Sequence, residues 1–320
     1  MLDPIASMEQ PSVSAVRKRP VIVLITPVRD EEGYIGTMLE TIAAQTVRPD
    51  RWIIVDDGSC DKTPAMIEEF AQTHPFIELV ALPQRKERAA GGEGAIPSAL
   101  RKVDLDSIDF LARFDADLAF PPDYFERMLE EFEKDPKLGI AGGTLYIERN
   151  GERAYEMDPD FHVRGALKMY RRQTFLDIGG LYPKFGWDTI DEVMAWSKGW
   201  TTRSFRSPWV LHRRPTGQGT AARRLYRLRG QAEFLTWSHP LHVFAKTFHI
   251  AFTERSLIKP VCYLGGYFEN SLKRPERIQN AAFKHARQSQ QLGRLASILR
   301  LSRRANAASN AMPNGHNATK

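Results

Sequence analysis

Apolar runs alternate with helical patterns over the first 120 residues, and this alternation constrains the fold more than any other feature of the sequence. Continuous apolar runs are typical of strands that are buried on both faces of a parallel sheet. The runs are VIVLIT at 21–26, WIIV at 52–55, FIELVAL at 76–82 and IDFLARF at 108–114. Helical candidates, EGYIGTMLETI, DKTPAMIEEFA and EGAIPSALRKV, lie between them. The order βαβαβαβ predicts an α/β, Rossmann-like fold with a mostly parallel sheet and helices on both faces.

The first two helices carry specific start and packing signals. In the first, Ile35, Met38, Leu39 and Ile42 recur at helical spacing and predict a buried face. In the second, Thr63 is a candidate N-cap because Pro64, which suits the first helical position, follows it.

Acidic residues follow three of the four strand candidates. Because the carboxyl ends of parallel strands meet at one edge of a sheet, these side chains should lie close together, at the edge where ligands of open α/β sheets bind. The acids are Asp30, Glu31 and Glu32 after the first strand, Asp56 and Asp57 after the second, and Asp115 and Asp117 after the fourth.

Asp115 and Asp117 have two interpretations that the spacing alone leaves open. Residues i and i+2 of an extended strand point to the same face, so the two carboxylates suit a divalent cation that also binds substrate phosphates. Alternatively, the acids begin a turn before PPDYFERMLEEF, whose Phe125, Met128 and Phe132 form a helix face together with Leu129.

Bulk properties restrict the class of protein. The chain has 320 residues, 42% of them apolar, enough for one large domain or two. Cys60 and Cys262 stand far apart, outside any zinc spacing, so neither a disulfide framework nor a zinc site is supported. The N-terminus lacks an apolar signal-peptide core, and no apolar run approaches the roughly 20 residues of a spanning helix. We expect a cytoplasmic protein, with the inner face of the plasma membrane as an open alternative.

Charge is divided unevenly along the chain. Residues 1–200 hold 24 Lys and Arg against 35 Asp and Glu, whereas residues 201–320 hold 21 against 4. A basic half of this kind indicates an anionic partner, such as phospholipid headgroups, a lipid phosphate or nucleic acid. Since no recognised nucleic-acid module is present, we expect no nucleic-acid partner.

The segment HPLHVFAKTFHIAF has apolar residues at near-helical spacing. They form either an interfacial amphipathic helix on an anionic membrane or a face that packs back onto the preceding domain, and both interpretations stay open. The residues are Leu241, Phe244, Ala245, Phe248 and Phe252.

Three segments together resemble the family 2 glycosyltransferases, whose nucleotide-binding core has the GT-A fold. They are VIVLITPVRDEEGYI, WIIVDDGSCDKT and FDADLAF, in the order and spacing of that family. The resemblance covers roughly residues 20–245. It departs from the usual pattern at Arg29 and Asp30, where the family commonly has Tyr-Asn.

The resemblance implies roles for the acidic edge and its neighbours. The donor would be a nucleotide diphosphate sugar, with a UDP-sugar favoured and a GDP-sugar as the alternative, and the cofactor Mn²⁺ or Mg²⁺. The implied nucleoside-pocket residues are Thr26, Pro27 and Glu31, with Asp56 or Asp57 at the base or ribose. The implied diphosphate and metal residues are Asp115, Ala116 and Asp117, with Arg88 a candidate at the diphosphate and His212 at the metal.

The segment FGWDTIDEVMAWSKGW is the candidate source of a catalytic base. Asp188, Asp191 and Glu192 share one helix face, which is either a solvated acidic stripe or part of a site. The resemblance places the base 11 residues before a Gly-Trp pair, and Asp188 meets this spacing. Trp187 stands where the family usually has Glu, so Asp191 remains a rival. A further pair, Arg171 and Arg172, either contacts phosphate or is surface charge.

These features predict an inverting, metal-dependent glycosyltransferase that acts on a carbohydrate or lipid-linked acceptor in surface polysaccharide or glycolipid synthesis. The alternatives are a non-catalytic nucleotide-sugar-binding or scaffold protein on the same fold and, less favoured, a sugar-1-phosphate nucleotidyltransferase. TPVRDEEG stands where the latter class has a Gly-rich loop. The predicted organisation is an N-terminal tail (1–19), a GT-A domain (20–220, divided into 20–120 and 121–220), a basic helical extension (221–302) and a disordered tail (303–320).

Overall fold

The computed structural model describes residues 19–84, 95–149, 151–156, 158–182, 186–214 and 222–310. The strands are β1 (Ile22–Val28), β2 (Arg51–Asp56), β3 (Ile77–Ala81), β4 (Phe110–Phe114), β5 (Leu118–Ala119), β6 (Leu138–Arg149), β7 (Glu152–Tyr155), β8 (Leu167–Arg171) and β9 (Thr201–His212). The helices are α1 (Ile35–Ala43), α2 (Thr63–Ala71), α3 (Ala95–Leu100), α4 (Tyr124–Lys134), α5 (Arg172–Asp177), α6 (Trp187–Ser197), α7 (Ala222–Leu235), α8 (Pro240–Thr253), α9 (Ile258–Lys273) and α10 (Ala281–Asn310).

The first four strands form the parallel part of the sheet. Their spatial order is β3-β2-β1-β4, and each neighbouring pair is parallel. The apolar runs of the sequence produce these strands because both faces are covered: α1, α2 and α4 pack on one face, and α3, α5 and α6 on the other. The predicted α/β fold with helices on both faces is confirmed.

The second half of the sheet mixes directions. Strand β8 is antiparallel to both β4 and β6, β9 is parallel to β6, and short β5 is antiparallel to the end of β9. Strands β6 and β7 form an antiparallel hairpin. The β4–β8 pairing matters most for the site, because it places residues of β8 beside the end of β4.

Helices α1 and α2 test the local predictions. The predicted face of α1 is buried: Ile35, Met38, Leu39 and Ile42 all pack into the core. The N-cap assignment of Thr63 was wrong, because α2 begins at Thr63 and Lys62 precedes it as the cap. The Thr63 hydroxyl instead accepts a hydrogen bond from the backbone N–H of Glu31, at 2.8 Å.

Gly142 and Gly143 lie inside β6, where neighbouring backbone approaches closely. A Cβ on Gly142 would come within 2.4 Å of the Leu167 carbonyl oxygen, and one on Gly143 within 2.4 Å of the Pro208 carbonyl oxygen. The register between β6 and β9 shifts just after Gly143, within one unbroken strand.

Helices α7 to α10 form the basic C-terminal part. Helix α8 begins at Pro240, a residue that suits the first helical position. Helix α10 continues to Asn310, past the predicted start of a tail at residue 303, and the disorder of that tail stays a prediction. Among the described residues, none of the helices combines the length and apolar character needed to cross a bilayer.

Candidate active site at the carboxyl edge of the sheet

The predicted acidic edge forms where β1, β2 and β4 end side by side. Val28 at the end of β1 pairs with Asp56 at the end of β2, and Ile25 pairs with Arg113 near the end of β4. Asp56 and Asp57 are both buried. Asp56 accepts hydrogen bonds from the backbone N–H and the hydroxyl of Ser59, so its carboxylate shapes the turn after β2.

Hydrogen bonds join the loop after β1 to the loop after β2. The Asp30 carboxylate accepts from the Cys60 N–H at 2.8 Å, and the Asp30 N–H donates to the Ser59 hydroxyl at 2.9 Å. Asp30 has φ of 54°, a left-handed conformation that Asp tolerates better than most residues. The departure from the usual Tyr-Asn at positions 29 and 30 therefore has a local structural consequence: Asp30 holds the two loops together.

Thr26 and Pro27 differ from each other in accessibility. Thr26 is fully buried, and its hydroxyl accepts a 2.9 Å hydrogen bond from the indole N–H of Trp52. The side chain of Thr26 therefore faces the core, and the role of this residue in the nucleoside pocket stays a prediction. Pro27 is partly exposed, and its place in the pocket stays a prediction.

Arg214 joins two of the predicted site acids. Its guanidinium donates to Glu31 at 2.7 Å and to Asp117 Oδ2 at 2.9 Å, and both carboxylates are buried. The cation lies 5.1 Å from the ring centre of Tyr34. The sequence prediction missed Arg214, although its position in HRRP, two residues after His212, was the signal.

His212 reaches Asp117 because of strand register. In the β5–β9 pair Leu118 lies opposite His212, and the Arg213 N–H donates to the Asp117 carbonyl at 2.9 Å. The His212 Nε2 is 3.7 Å from Asp117 Oδ1, and its Nδ1 is 3.2 Å from Glu156 Oε2. Burial disfavours the charged ring, but these two carboxylates outweigh it and raise the pKa of His212 to about 9.

The donor set at this edge is compatible with a divalent cation held by two carboxylates. Asp117 Oδ1 is buried and accepts no hydrogen bond from a described residue. Mg²⁺ and Mn²⁺ commonly take one or two carboxylates from the protein and complete their coordination with substrate phosphates and water. No group of three or more His, Cys, Asp or Glu in the described ranges has metal-binding geometry. A metal ligand must be a neutral imidazole, whereas the raised pKa of His212 favours the charged ring. The role of His212 as a metal ligand therefore stays a prediction.

Arg113 connects Asp115 to helix α6. Its guanidinium forms an ion pair with Asp115 Oδ1 at 2.8 Å and lies 4.7 Å from the ring centre of Trp187. The same guanidinium donates to the Gly165 carbonyl. Trp187 thus occupies the position of the expected Glu with an aromatic ring that binds a cation on its face. Arg113 therefore contacts both Asp115 and the first residue of α6.

Asp188 and Asp191 lie in different environments on α6. Asp188 is in the first turn and partly exposed, next to Trp187 and beside Gly165. The Asp191 side chain has 0% exposure and receives hydrogen bonds from Lys168 Nζ at 2.8 Å and the Tyr170 hydroxyl at 2.5 Å. Of the two candidates, only Asp188 is exposed to solvent in part.

Lys168 is the centre of a buried polar cluster under α6. Its ammonium contacts Asp191, Glu192 and the backbone carbonyl of Asp188. Glu192 also accepts from His162 at 2.9 Å and from the Val163 N–H at 2.7 Å. Strand alternation explains the arrangement, because Lys168 and Tyr170 on β8 point to the face covered by α6. Of the two interpretations of this helix face, the solvated stripe is wrong for Asp191 and Glu192, because both are buried.

The prediction for the pair Arg171 and Arg172 can be compared with the structure, whereas that for Arg88 cannot. Arg171 donates to the carbonyls of Phe132 and Leu138, and Arg172 to the carbonyl of Leu105 and to Asp106. Since Arg171 pairs with Phe110 at the start of β4, both arginines lie at the sheet edge opposite Asp115. The phosphate-contact interpretation of this pair was wrong. Arg88 lies outside the described residues.

The geometry agrees with sequence comparison. The family called glycosyl transferase family 2 matches residues 23–187, about half of the chain. This protein therefore belongs to glycosyl transferase family 2. The match includes β1, β2, the Asp115–Asp117 turn and the first residue of α6.

Curated relatives match the same part of the chain. A beta-monoglucosyldiacylglycerol synthase of Synechocystis is 32% identical over 173 residues, covering 51% of this chain and 33% of the relative. A poly-beta-1,6-N-acetyl-D-glucosamine synthase of Staphylococcus aureus is 26% identical over 191 residues, covering 58% and 44%. The chain thus spans less than half the length of these relatives.

Solved structures share the fold. A crystal structure of S. aureus TarS residues 1–349 with UDP-GlcNAc superposes with a TM-score of 0.53 at 15% identity, over 77% of this chain and 79% of that one. At this identity the likeness concerns the fold, and it confirms the predicted GT-A architecture.

Proposed function

We propose that this protein is an inverting, metal-dependent glycosyltransferase that moves a sugar from a nucleotide diphosphate sugar to an acceptor hydroxyl. One observation carries the proposal: Arg113 contacts both Asp115, at the donor edge of the sheet, and Trp187, which immediately precedes Asp188. Two carboxylates with different tasks, donor binding and proton removal, therefore share one neighbourhood.

Each described site residue has a separate task in the proposed donor complex. Arg214 holds the Glu31 carboxylate and Ser59 holds that of Asp56, so both carboxylates keep their positions beside the proposed nucleoside pocket. Asp115 and Asp117 would hold a divalent cation. That cation would neutralise charge on the diphosphate as the diphosphate departs.

Proton removal falls to Asp188. Its carboxylate accepts the proton of the acceptor hydroxyl while the hydroxyl oxygen forms its bond to the anomeric carbon. The bond from that carbon to the diphosphate oxygen breaks, and the nucleoside diphosphate leaves with the electron pair. Attack from the face opposite the leaving group inverts the anomeric configuration. A carboxylate can take this proton because the hydroxyl becomes more acidic as it attacks.

Lys168 holds the base in position without contacting substrate. Its ammonium binds the backbone carbonyl of Asp188 and the carboxylates of Asp191 and Glu192. These bonds attach the first turn of α6 to β8 and so keep the start of the helix near the end of β4. We assign Asp191 to this supporting cluster on the basis of its burial.

A UDP-sugar is the favoured donor and a GDP-sugar the alternative. Support for UDP comes from the crystal structures of TarS in complex with UDP and with UDP-GlcNAc, which have a related fold. A carbohydrate or lipid-linked acceptor is supported by the names of the relatives, a glucosyldiacylglycerol synthase and a poly-N-acetylglucosamine synthase. The product would belong to a surface polysaccharide or glycolipid, made at the cytoplasmic side of the membrane.

Nucleotide release tests the proposal. UDP-glucose, UDP-N-acetylglucosamine and GDP-mannose are incubated with the protein, Mn²⁺ and either diacylglycerol or oligosaccharide acceptors. We expect one donor to release its nucleoside diphosphate and to yield a product of inverted configuration. Chelation with EDTA should stop the release, and added Mn²⁺ should restore it. Binding of a nucleotide sugar without turnover on any acceptor class would support the non-catalytic alternative instead.

A further inference from the structure

Helix α8 exposes one face of large apolar side chains. Val243 and Ile250, on the opposite face, are buried against the neighbouring helices. The apolar residues for which the sequence left two interpretations open therefore do not pack onto the domain, apart from the partly buried Ala245. The exposed residues are Leu241, Phe244, Phe248 and Phe252, spaced at three and four residues along the helix.

Helix α9 continues the same pattern. Its buried face carries Tyr263, Gly266 and Asn270 and packs against α7. The opposite face exposes apolar residues that recur over its full length. These are Leu257, just before the helix, then Ile258, Val261, Phe268 and Leu272. We call the nine exposed apolar residues of α8 and α9 the apolar surface.

The turn between α8 and α9 exposes two residues of the apolar surface almost completely. Phe252 near the end of α8 and Leu257 at the start of α9 are each 81% exposed. Arg255, between them, has φ of 44°, the left-handed conformation that ends a helix sharply. The turn therefore projects two large apolar side chains and one arginine.

Cations surround this end of the helices. Helices α7 and α9 run parallel, because the Arg227 carbonyl lies against Gly266 and the Gln231 carbonyl accepts from Asn270. The start of α7 therefore lies at the same end as the α8–α9 turn, and Lys259 is 5.7 Å from the ring centre of Tyr226. Residues 222–230 and 252–262 hold six Lys and Arg and one acid, Glu254.

We propose that the apolar surface docks on an anionic lipid bilayer, with Phe252 and Leu257 inserted among the headgroups and the surrounding cations on the lipid phosphates. Apolar side chains on one helix face with basic residues around them suit the bilayer interface, where both contacts form together. Each basic residue near an anionic surface adds about 1 kcal/mol of attraction. A second copy of the chain brings the same cations and is disfavoured by charge repulsion.

The position of this surface also suits the proposed function. Helix α7 begins eight positions after Arg214, so the two lie at most about 29 Å apart. Docking through α8 and α9 would therefore hold the donor site within reach of a lipid-linked acceptor. This point alone rests on the proposed function, whereas the docking itself is measured without donor or acceptor.

Vesicle flotation of the full chain tests the docking. We expect the protein to float with vesicles of phosphatidylcholine plus phosphatidylglycerol, to bind pure phosphatidylcholine much more weakly, and to detach at high salt. Leu257→Gln should weaken binding roughly tenfold, because the variant no longer buries a leucine side chain in the bilayer. Arg255→Gln should weaken it about fivefold on anionic vesicles only.

Leu176→Gln is the matched control, because Leu176 on α5 is also exposed, at 39%, but lies outside the apolar surface. It should bind vesicles as the unmodified protein does. Equal binding by Leu257→Gln and Leu176→Gln would overturn the proposal, as would an unmodified protein that floats with neither vesicle. Sedimentation equilibrium that shows dimers dissociated by Leu257→Gln, without vesicle binding, would assign the surface to self-association and also overturn it.

Discussion

Lys168 and Asp191 form an ion pair of 2.8 Å with neither side chain exposed to solvent. Lys168 also contacts Glu192 at 3.2 Å, so one ammonium serves two buried carboxylates. Burial disfavours its charge, but Asp191 and Glu192 outweigh that effect and raise the pKa of Lys168. This cation joins strand β8 to helix α6 directly beneath the proposed base.

Removal of the Lys168 charge should destabilise the fold strongly. Lys168→Met keeps the length of the side chain but leaves two carboxylates buried without their cation, and we expect a loss of about 3–5 kcal/mol in the free energy of unfolding. Chemical denaturation measures it. Lys134→Met is the control, because Lys134 is a solvent-exposed lysine of α4; it should unfold at the same denaturant concentration as the unmodified protein. A similar midpoint for both variants would refute the role of Lys168.

Asp191 should make stability depend on pH. Burial raises its pKa to about 6, against the opposing effect of Lys168. The folded state therefore binds a proton more readily than the unfolded state. The contribution of this group to stability is fully present below the unfolded pKa of 3.8, and it is lost as the pH rises to about 6.

Asp191→Asn should abolish this part of the pH dependence. Relative to the variant, the unmodified protein should lose at most about 1.4 kcal/mol of stability per pH unit over this range. The stability contribution of His162 is also lost as the pH rises, but at higher pH. Burial lowers the pKa of His162, and Glu192 outweighs burial and raises it. Both proteins contain His162, so the difference between their stability curves cancels this effect to first order. Parallel stability curves for the two proteins would contradict the assignment.

Asp188 and Asp191 should respond differently to the same substitution. Asp188→Asn should lower kcat by about 100-fold or more while donor binding and melting temperature remain near normal. Asp191→Asn should lower the melting temperature, with turnover per folded molecule changed far less. Steady-state nucleotide release and thermal unfolding separate the two effects. A folded but inactive Asp191→Asn, beside an active Asp188→Asn, would reverse the assignment.

The contact between α7 and α9 provides a test that is independent of catalysis. A Cβ on Gly266 would lie 2.0 Å from the Arg227 carbonyl oxygen, whereas one on neighbouring Gly265 meets nothing within 4 Å. Gly266→Ala should therefore cost about 1–3 kcal/mol in stability. Gly265→Ala should add about 0.5–1 kcal/mol, through its greater helix propensity. Equal stability of the two variants, measured by denaturant unfolding, would contradict the helix packing.

The sequence predicted those features that depend on local pattern. Periodicity predicted the strands that are covered on both faces and the buried face of α1. Parallel topology predicted that the acids would lie together at one edge of the sheet. The sequence could not predict the environments of Asp188 and Asp191. The two residues are three positions apart on one helix, and this spacing does not indicate which carboxylate the sheet covers. That depends on Lys168, a lysine in a strand that pairs with β4 from more than 50 residues away.

Long-range partners explain the other differences. Arg214 was missed because its acceptors, Glu31 and Asp117, are 183 and 97 residues away in the chain. Thr26 was placed in the pocket by resemblance, whereas Trp52 on the neighbouring strand binds its hydroxyl in the core. The apolar residues of α8 were correctly placed on one helix face, but the pattern did not reveal that α9 would pack against the opposite face.

Binding of a nucleoside diphosphate is the most direct test of the proposed donor site. Isothermal titration of UDP, GDP and dTDP is performed with Mn²⁺ or EDTA, on the unmodified protein and on Asp117→Asn. We predict that at least one diphosphate binds only with Mn²⁺, and that Asp117→Asn weakens its binding at least about tenfold, as expected for a charged contact to the metal–diphosphate complex. If none of the three binds, or if Asp117→Asn binds as tightly as the unmodified protein, the carboxyl edge of the sheet is not a metal-dependent donor site.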